Sequence, residues 1–119
     1  MQDSPDEREK LLDRLLRLPL DDAVFEICLW NAYRRQFGPP PHREKIESRM
    51  LDARYAPSRI EEAGQRVNAL LRAAIIIGDA FHDHQPDYER RKAELPGTHP
   101  GFSAATYARA IDYGLYITR

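Results

Sequence analysis

A chain of 119 residues is one domain by length, and folding at this size buries roughly two-thirds of the surface that the unfolded chain exposes. Hydrophobic residues at 42% and charged residues at 31% exclude the apolar-poor composition of a disordered chain. Lys+Arg 18 against Asp+Glu 19 leaves a net charge of -1, without the positive excess that a non-specific nucleic-acid or anionic-membrane binder needs.

Cys28 is the only cysteine, so an internal disulfide and a multi-cysteine zinc site are both excluded. Its setting, "FEICLW", predicts a buried, unreactive thiol. The opening "MQDSPDEREK" is acidic where a signal peptide would be basic and then apolar, which points to the cytoplasm. The most apolar run, "VNALLRAAIIIG", is about a dozen residues long, includes Arg72, and is too short to span a bilayer.

The first helix opens on "SPDE": Ser4 caps, Pro5 takes the first helical position, and Glu7 completes a capping box. Leu11, Leu12, Leu15, Leu16 and Leu18 recur at helical spacing, with Arg8, Lys10, Asp13, Arg14 and Arg17 opposite. Pro19 ends the helix by pushing Leu18 out of the helical region.

The second helix starts at Asp21 or Asp22 as cap, with Leu20 placed to staple against Val24 or Phe25. Val24, Phe25, Ile27, Cys28, Leu29, Trp30 and Tyr33 leave little of its circumference polar, so neighbours should bury most of it. Gly38 supplies a left-handed stop, and Pro39, Pro40 and Pro41 form a stiff connector. A third, peripheral helix is expected over 42–55, with Ile46, Met50, Leu51 and Ala53 as its thin apolar stripe.

The fourth helix carries the strongest pattern. Ser58 and Glu61 form a second capping box, and Ile60, Ala63, Val67, Leu70, Ala74, Ile77 and Phe81 follow at steps of three and four, which makes a continuous seam. That spacing outweighs the β-preference of Ile75, Ile76 and Ile77. Small residues Ala63, Gly64, Ala73, Ala74 and Gly78 would let other helices approach closely. A short charged helix "DYERRKAEL" and a turn-rich loop "PGTHPG" come next. In the last helix Ser103 caps and Phe102 staples near Tyr107. Tyr107, Ala110, Ile111, Gly114, Leu115 and Thr118 form its inner face, and Arg109, Asp112, Tyr113 and Tyr116 point outward. The expected fold is all-α, a single domain over 1–119: an irregular orthogonal bundle of five to six helices around a long central helix at about 58–84.

"FHDHQP", Phe81 to Pro86, is the stretch that most invites chemistry. A helix advances 100° per residue, so His82 and His84 diverge if the helix runs through them. Its continuity through Gly78 therefore matters. On a continuous helix His84 joins the apolar seam beyond Phe81, while Asp79, His82 and Asp83 stand at i, i+3 and i+4 on one face. Such a set suits a divalent cation such as Mg²⁺, Mn²⁺ or Fe²⁺ that activates water.

The pair His82-Asp83, late in a helix after an apolar run, resembles the HD element of the HD-domain phosphohydrolases. That resemblance covers two residues and implies an all-helical metal enzyme, with an upstream histidine and a distant downstream aspartate. His42 and Asp112 stand in that order. Otherwise the acids solvate an exposed face and the histidines favour the negative end of the helix.

His99 sits in a loop without a partner motif, so a turn role is expected for it. Arg34-Arg35 and Glu89 to Lys92 hold the local basic clusters, blunted by neighbouring acids. The third helix, with Arg43, Lys45, Arg49 and Arg54 against Glu44, Glu47 and Asp52, comes closest to a DNA-reading helix.

Tyr113 and Tyr116, with Arg109 and Arg119, best suit a partner surface, since Tyr and Arg concentrate at the energetic centres of interfaces. The alternative for the tyrosines is packing against the first helix with their hydroxyls wet. Together these features point to a small cytoplasmic, non-enzymatic protein–protein interaction module: an adaptor, an immunity-type inhibitor or an accessory regulator. Its partner is an unidentified protein, with self-association through the long seam as one form, and neither membrane nor cofactor is expected. A metal-dependent hydrolase on Asp79, His82 and Asp83, joined by one or both of His42 and His99, is the second reading. A DNA-binding regulator is the third.

Overall fold

The computed structural model describes residues 4–37 and 46–119, and the side chains of 9–32 and 46–119. The expected Ser4 capping box, the Gly38 stop, the triple proline, His42 and the side chains of Arg34 and Arg35 lie outside those limits. The described chain is all helical: α1 (Ser4–Leu15), α2 (Leu20–Phe37), a 3₁₀ turn (Ser48–Leu51), the long α3 (Pro57–His82), α4 (Tyr88–Thr98) and α5 (Ala104–Thr118). None of these helices is long and apolar enough to cross a membrane. The chain divides into two compact units, Met1–Gly64 and Gln65–Arg119.

In the first unit, α1 buries Leu11 and Leu15 and ends at Leu15, three residues before Leu18. The last turn tightens instead into i→i+3 bonds, from Arg17 N–H to Arg14 O and from Leu18 N–H to Leu15 O (3.0 and 3.3 Å). A helix that must release its chain before a proline commonly unwinds in this way. As a result Leu16, counted in the apolar stripe, is 45% exposed.

Helix α2 opens on the Pro19 carbonyl, which accepts from Ala23 N–H at 2.9 Å. Asp21 and Asp22 therefore sit inside its first turn, where their charge favours the positive end of the helix, and not at the cap. Ala23, Val24, Phe25, Ile27 and Leu29 are all buried, as the nearly unbroken apolar circumference predicted. Cys28, expected to be buried, is half-exposed. Glu26 is buried too, and its Oε1 accepts from Arg14 Nη2 of α1 at 3.1 Å. Burying a carboxylate is tolerable when it is paired in this way.

The third helix expected over 42–55 is not present across 46–55. Asn31 of α2 donates from Nδ2 to Ile46 O (2.9 Å) and accepts at Oδ1 from Ile46 N–H (3.0 Å). Both backbone groups of Ile46 are thus taken by a side chain, so they cannot join a helical ladder, and Glu47 is extended (φ -88, ψ 133). Only the short turn Ser48–Leu51 follows, burying Leu51.

Helix α3 starts from the Ala56 carbonyl, which accepts from Ile60 N–H at 3.2 Å, with Pro57 in the first helical position. Ser58 is therefore one step inside the helix and is not its cap. The six seam residues from Ile60 through Ile77 are buried, but the seam then passes to Ala80 and leaves Phe81 47% exposed. A 3.5-residue repeat drifts around a 3.6-residue helix, which accounts for the change of face.

Helix α3 runs unbroken through Gly78 and stops at His82. Gln85 N–H bonds Ala80 O (2.8 Å) and His84 N–H bonds Phe81 O (3.1 Å), while His84 takes a left-handed φ of 56. These bonds make a Schellman stop with histidine in the place usually held by glycine, followed by Pro86. His84 therefore ends the helix and does not extend its seam.

In the second unit, α3 and α5 meet backbone to backbone. A Cβ added at Gly78 would fall inside the contact radius of the Gly114 carbonyl oxygen and lie 2.6 Å from Thr118 Oγ1. One added at Gly114 would collide with the Ala74 carbonyl and lie 3.2 Å from Ile75 N. Gly64 and Gly97, by contrast, face open space.

Helix α4 is longer than its charged stretch suggested, continuing through Pro96 and Gly97 to Thr98. Proline removes one bond near the end, and Thr98 Oγ1 (3.3 Å to Glu94 O and to Leu95 O) with His99 N–H (2.9 Å to Leu95 O) closes the final turn. At its start, Asp87 Oδ2 accepts from Arg91 Nε (2.7 Å) and Arg90 Nη2 (3.3 Å). The hydrogen bond from Arg91, then the charges of Arg91 and Arg90, hold the Asp87 carboxyl below the ordinary aspartate range.

Three outcomes follow. Gly78→Ala and Gly114→Ala should each destabilise the protein by about 1–3 kcal/mol in denaturant unfolding, while Gly64→Ala stabilises it by roughly 0.5–1 kcal/mol; equal effects at all three would remove the close contact as a constraint. Asn31→Ala should cost about 2 kcal/mol or more by the same measurement, since it leaves both Ile46 groups without their partner. Because the Asp87 pKa is lowered on folding, its stabilisation is present above the ordinary aspartate range and is lost as pH falls through the lowered value. The melting temperature of Asp87→Asn should accordingly fall less than that of the parent chain on acidification, and parallel curves would show that the Arg91 contact adds no stability.

Candidate interaction surface

Helix α5 is fixed at its start by local chemistry that the sequence displays. Ser103 is the N-cap, its Oγ accepting from Thr106 N–H at 3.2 Å. The Phe102 ring packs edge-on against Tyr107 at 5.8 Å, which is the expected staple. Tyr107 hydroxyl donates to His99 O (2.8 Å) and accepts from Phe102 N–H (3.3 Å), tying the preceding loop to the helix. His99 thus contributes its carbonyl to that tie, and its Nδ1 lies 3.0 Å from Thr98 Oγ1.

Further along α5, Thr106, Ala110, Ile111 and Gly114 are buried. Arg109, Tyr113 and Tyr116 stand at i, i+4 and i+7, on one stripe of the helix. Arg109 is exposed, but Tyr113 and Tyr116, read as pointing outward, are half-buried. The Tyr116 hydroxyl oxygen is enclosed, so it is not wet either. The Arg119 guanidinium lies 3.8 Å from the Tyr116 ring centroid and donates from Nη1 to Tyr116 O at 2.7 Å. The charged plane is therefore held against the ring by both a π contact and a hydrogen bond. Ile117, in the same turn, is 37% exposed.

A cleft of about 280 Å³ opens beside this surface between α4 and α5. The buried Leu95 and Ile111 line it with Pro96, Ala108 and Tyr107, and Lys92 and Asp112 supply charges of opposite sign. This cleft is not legible in the amino-acid sequence, in which "PGTHPG" from Pro96 onward has the composition of a turn-rich loop. The place of Pro96 in the last turn of α4 is what puts it there.

The metal-binding candidates behave differently. Asp79, His82 and Asp83 are all exposed, and His82 Nε2 lies 3.0 Å from the Leu115 carbonyl of α5. Its ring also meets Phe81 edge-on at 5.3 Å. The imidazole therefore bridges α3 to α5, and among the described residues no group of three His, Cys, Asp or Glu side chains is placed to hold a metal ion. Of the residues read as a DNA-contacting helix, Arg49 and Arg54 fall in the 3₁₀ turn and the bends after it; Arg43, Glu44 and Lys45 lie outside the described residues. No family model, curated protein or solved structure matches this chain.

Proposed function

We propose that this chain is a small, non-enzymatic protein–protein interaction module, an adaptor, inhibitor or accessory regulator that meets its partner through α5. The observation that carries this is the Arg119 guanidinium seated 3.8 Å over the Tyr116 ring, in line with Tyr113 and Arg109. Tyrosine and arginine supply much of the energy at interface centres, and a pair already ordered in the unbound protein loses less side-chain entropy on binding. Exposed Ile117 adds apolar area, and the cleft lined by Leu95 and Ile111 offers room for a partner side chain. A single cysteine suits the reducing cytoplasm.

Affinity capture with the tagged chain tests this, run in parallel with Tyr113→Ser/Tyr116→Ser and with the charge reversal Arg109→Glu/Arg119→Glu. A specific partner should be retained by the parent chain and lost from both variants, while helical content and melting stay near those of the parent. The charge reversal changes exposed positions, so it reports on binding even if the tyrosine variant loosens the fold. Undiminished capture by the charge reversal would remove α5 as the contact surface. If sedimentation shows a dimer that the same variants dissociate, the partner is a second copy of this chain.

A further inference from the structure

We propose that Arg54, Tyr55 and Arg59, with Leu16 beside them, form a second contact surface that binds an acidic peptide segment of a partner protein.

The chain assembles this group through a tight turn. Arg54 and Tyr55 both donate their N–H groups to Leu51 O (3.0 and 3.1 Å), and Ala56 then opens α3. Tyr55 is therefore placed between an arginine in the turn and another in the first helical turn. The Arg54 Cζ lies 5.9 Å from the Tyr55 ring centroid and the Arg59 Cζ 5.7 Å, so two guanidinium groups share one ring. Arg54 is further positioned by a hydrogen bond from Nη1 to Leu16 O, and the Leu16 side chain is 45% exposed. Both arginines are exposed and Tyr55 is half-buried.

Four arginines among the described residues find carboxylates, Arg14 with Glu26, Arg17 with Asp13, and Arg90 and Arg91 with Asp87, whereas Arg49 and Arg72, like Arg119 on Tyr116, do not. Arg59 has Glu62 three residues ahead, at a spacing where helical ion pairs form. Yet among the described residues neither Arg54 nor Arg59 makes an ion pair; each turns to Tyr55. Two like charges drawn to one ring repel each other, and an anion seated against both relieves that repulsion. Guanidinium forks match carboxylates in shape as well as charge, so a pair of them selects two closely spaced acids.

The occupant follows from the surroundings. Asp52, Glu61 and Glu62 are exposed within a few residues, and the chain carries a net charge of -1. The field is therefore too local to attract the long polyanion of a nucleic acid. The exposed Leu16 side chain asks for an apolar neighbour next to the acids, which a peptide provides.

The test is an NMR titration of the ¹⁵N-labelled full chain with a short capped peptide of glutamates around one leucine. A copy with glutamine in place of every glutamate is the control. Shifts should concentrate at Leu16, Arg54, Tyr55 and Arg59, weaken in high salt, and be small for the glutamine copy. Arg54→Gln/Arg59→Gln should raise the Kd about tenfold or more, as expected when charged hydrogen bonds are lost, and Arg49→Gln should leave it unchanged. Lysine at both positions keeps the charge without the forked donors, so it should give an intermediate loss. Full affinity in the lysine variant, equal binding of the glutamine copy, shifts centred on Arg90 to Lys92, or tighter binding of an oligothymidylate of matched charge would each overturn the proposal.

Discussion

Within the unit Gln65–Arg119, the spacing of α3 and α5 depends on two hydrogen atoms. Gly78 and Gly114 face each other where any Cβ would overlap the opposite backbone. Interiors are packed as densely as crystals, so a missing methyl group on each side lets the two backbones themselves become the contact. The rest of the pairing follows from this approach. Thr118 Oγ1 turns back to Gly114 O at 2.7 Å, and His82 reaches the Leu115 carbonyl at 3.0 Å. With Ala110, Ile111 and Gly114 buried on one side of α5, the helix has little rotational freedom. Its other residues, Arg109 and Tyr116 among them, are then held on a defined face, and Arg119 at its C-cap stacks on Tyr116. A steric constraint in the interior thus orients the surface proposed to meet a partner.

The unit Met1–Gly64 solves a different problem. A segment with modest apolar content has to be held against α2 without a helix of its own. Asn31 does this by offering one acceptor and one donor to the two backbone groups of Ile46, as a neighbouring strand would. The Ile46 side chain is then carried into the core. Leu51 follows through the short turn, and the bends after it bring Arg54 and Tyr55 to the beginning of α3. The grouping of two arginines around Tyr55 is a consequence of that path.

Seen together, the two surfaces use the same chemistry in different ways. On α5, one guanidinium is stacked and hydrogen-bonded on its tyrosine, which suits a preformed contact. Around Tyr55, two guanidinium groups stand near one ring without a carboxylate among the described residues, which suits recruitment of negative charge. A helix end such as "FHDHQP" looked richer in chemistry than either, because histidine and aspartate are conspicuous in a sequence. In the fold its members do separate work: His82 bridges to α5 and His84 reverses the chain.

Much of the architecture was already legible in the amino-acid sequence, because the signals involved are local. Apolar spacing located α1, α2, α3 and α5, Pro19 marked a boundary within a few residues, and Ser103 with Phe102 announced the start of α5. Gly78 was one of five small residues of α3 expected to allow close approach, of which Gly64 instead faces open space. What only the tertiary structure decided rests on partners distant in sequence. Whether 46–55 becomes a helix depends on Asn31, and whether α3 keeps Phe81 inside depends on how its stripe drifts against its neighbours. Pro96 lies in the last turn of α4, which Thr98 and His99 close by bonding the carbonyls of Glu94 and Leu95. The pairing of Gly78 with Gly114, the α4–α5 cleft and the arginines at Tyr55 share that origin: each is a contact across the fold, and the periodicity of a single helix carries no record of what will be packed against it.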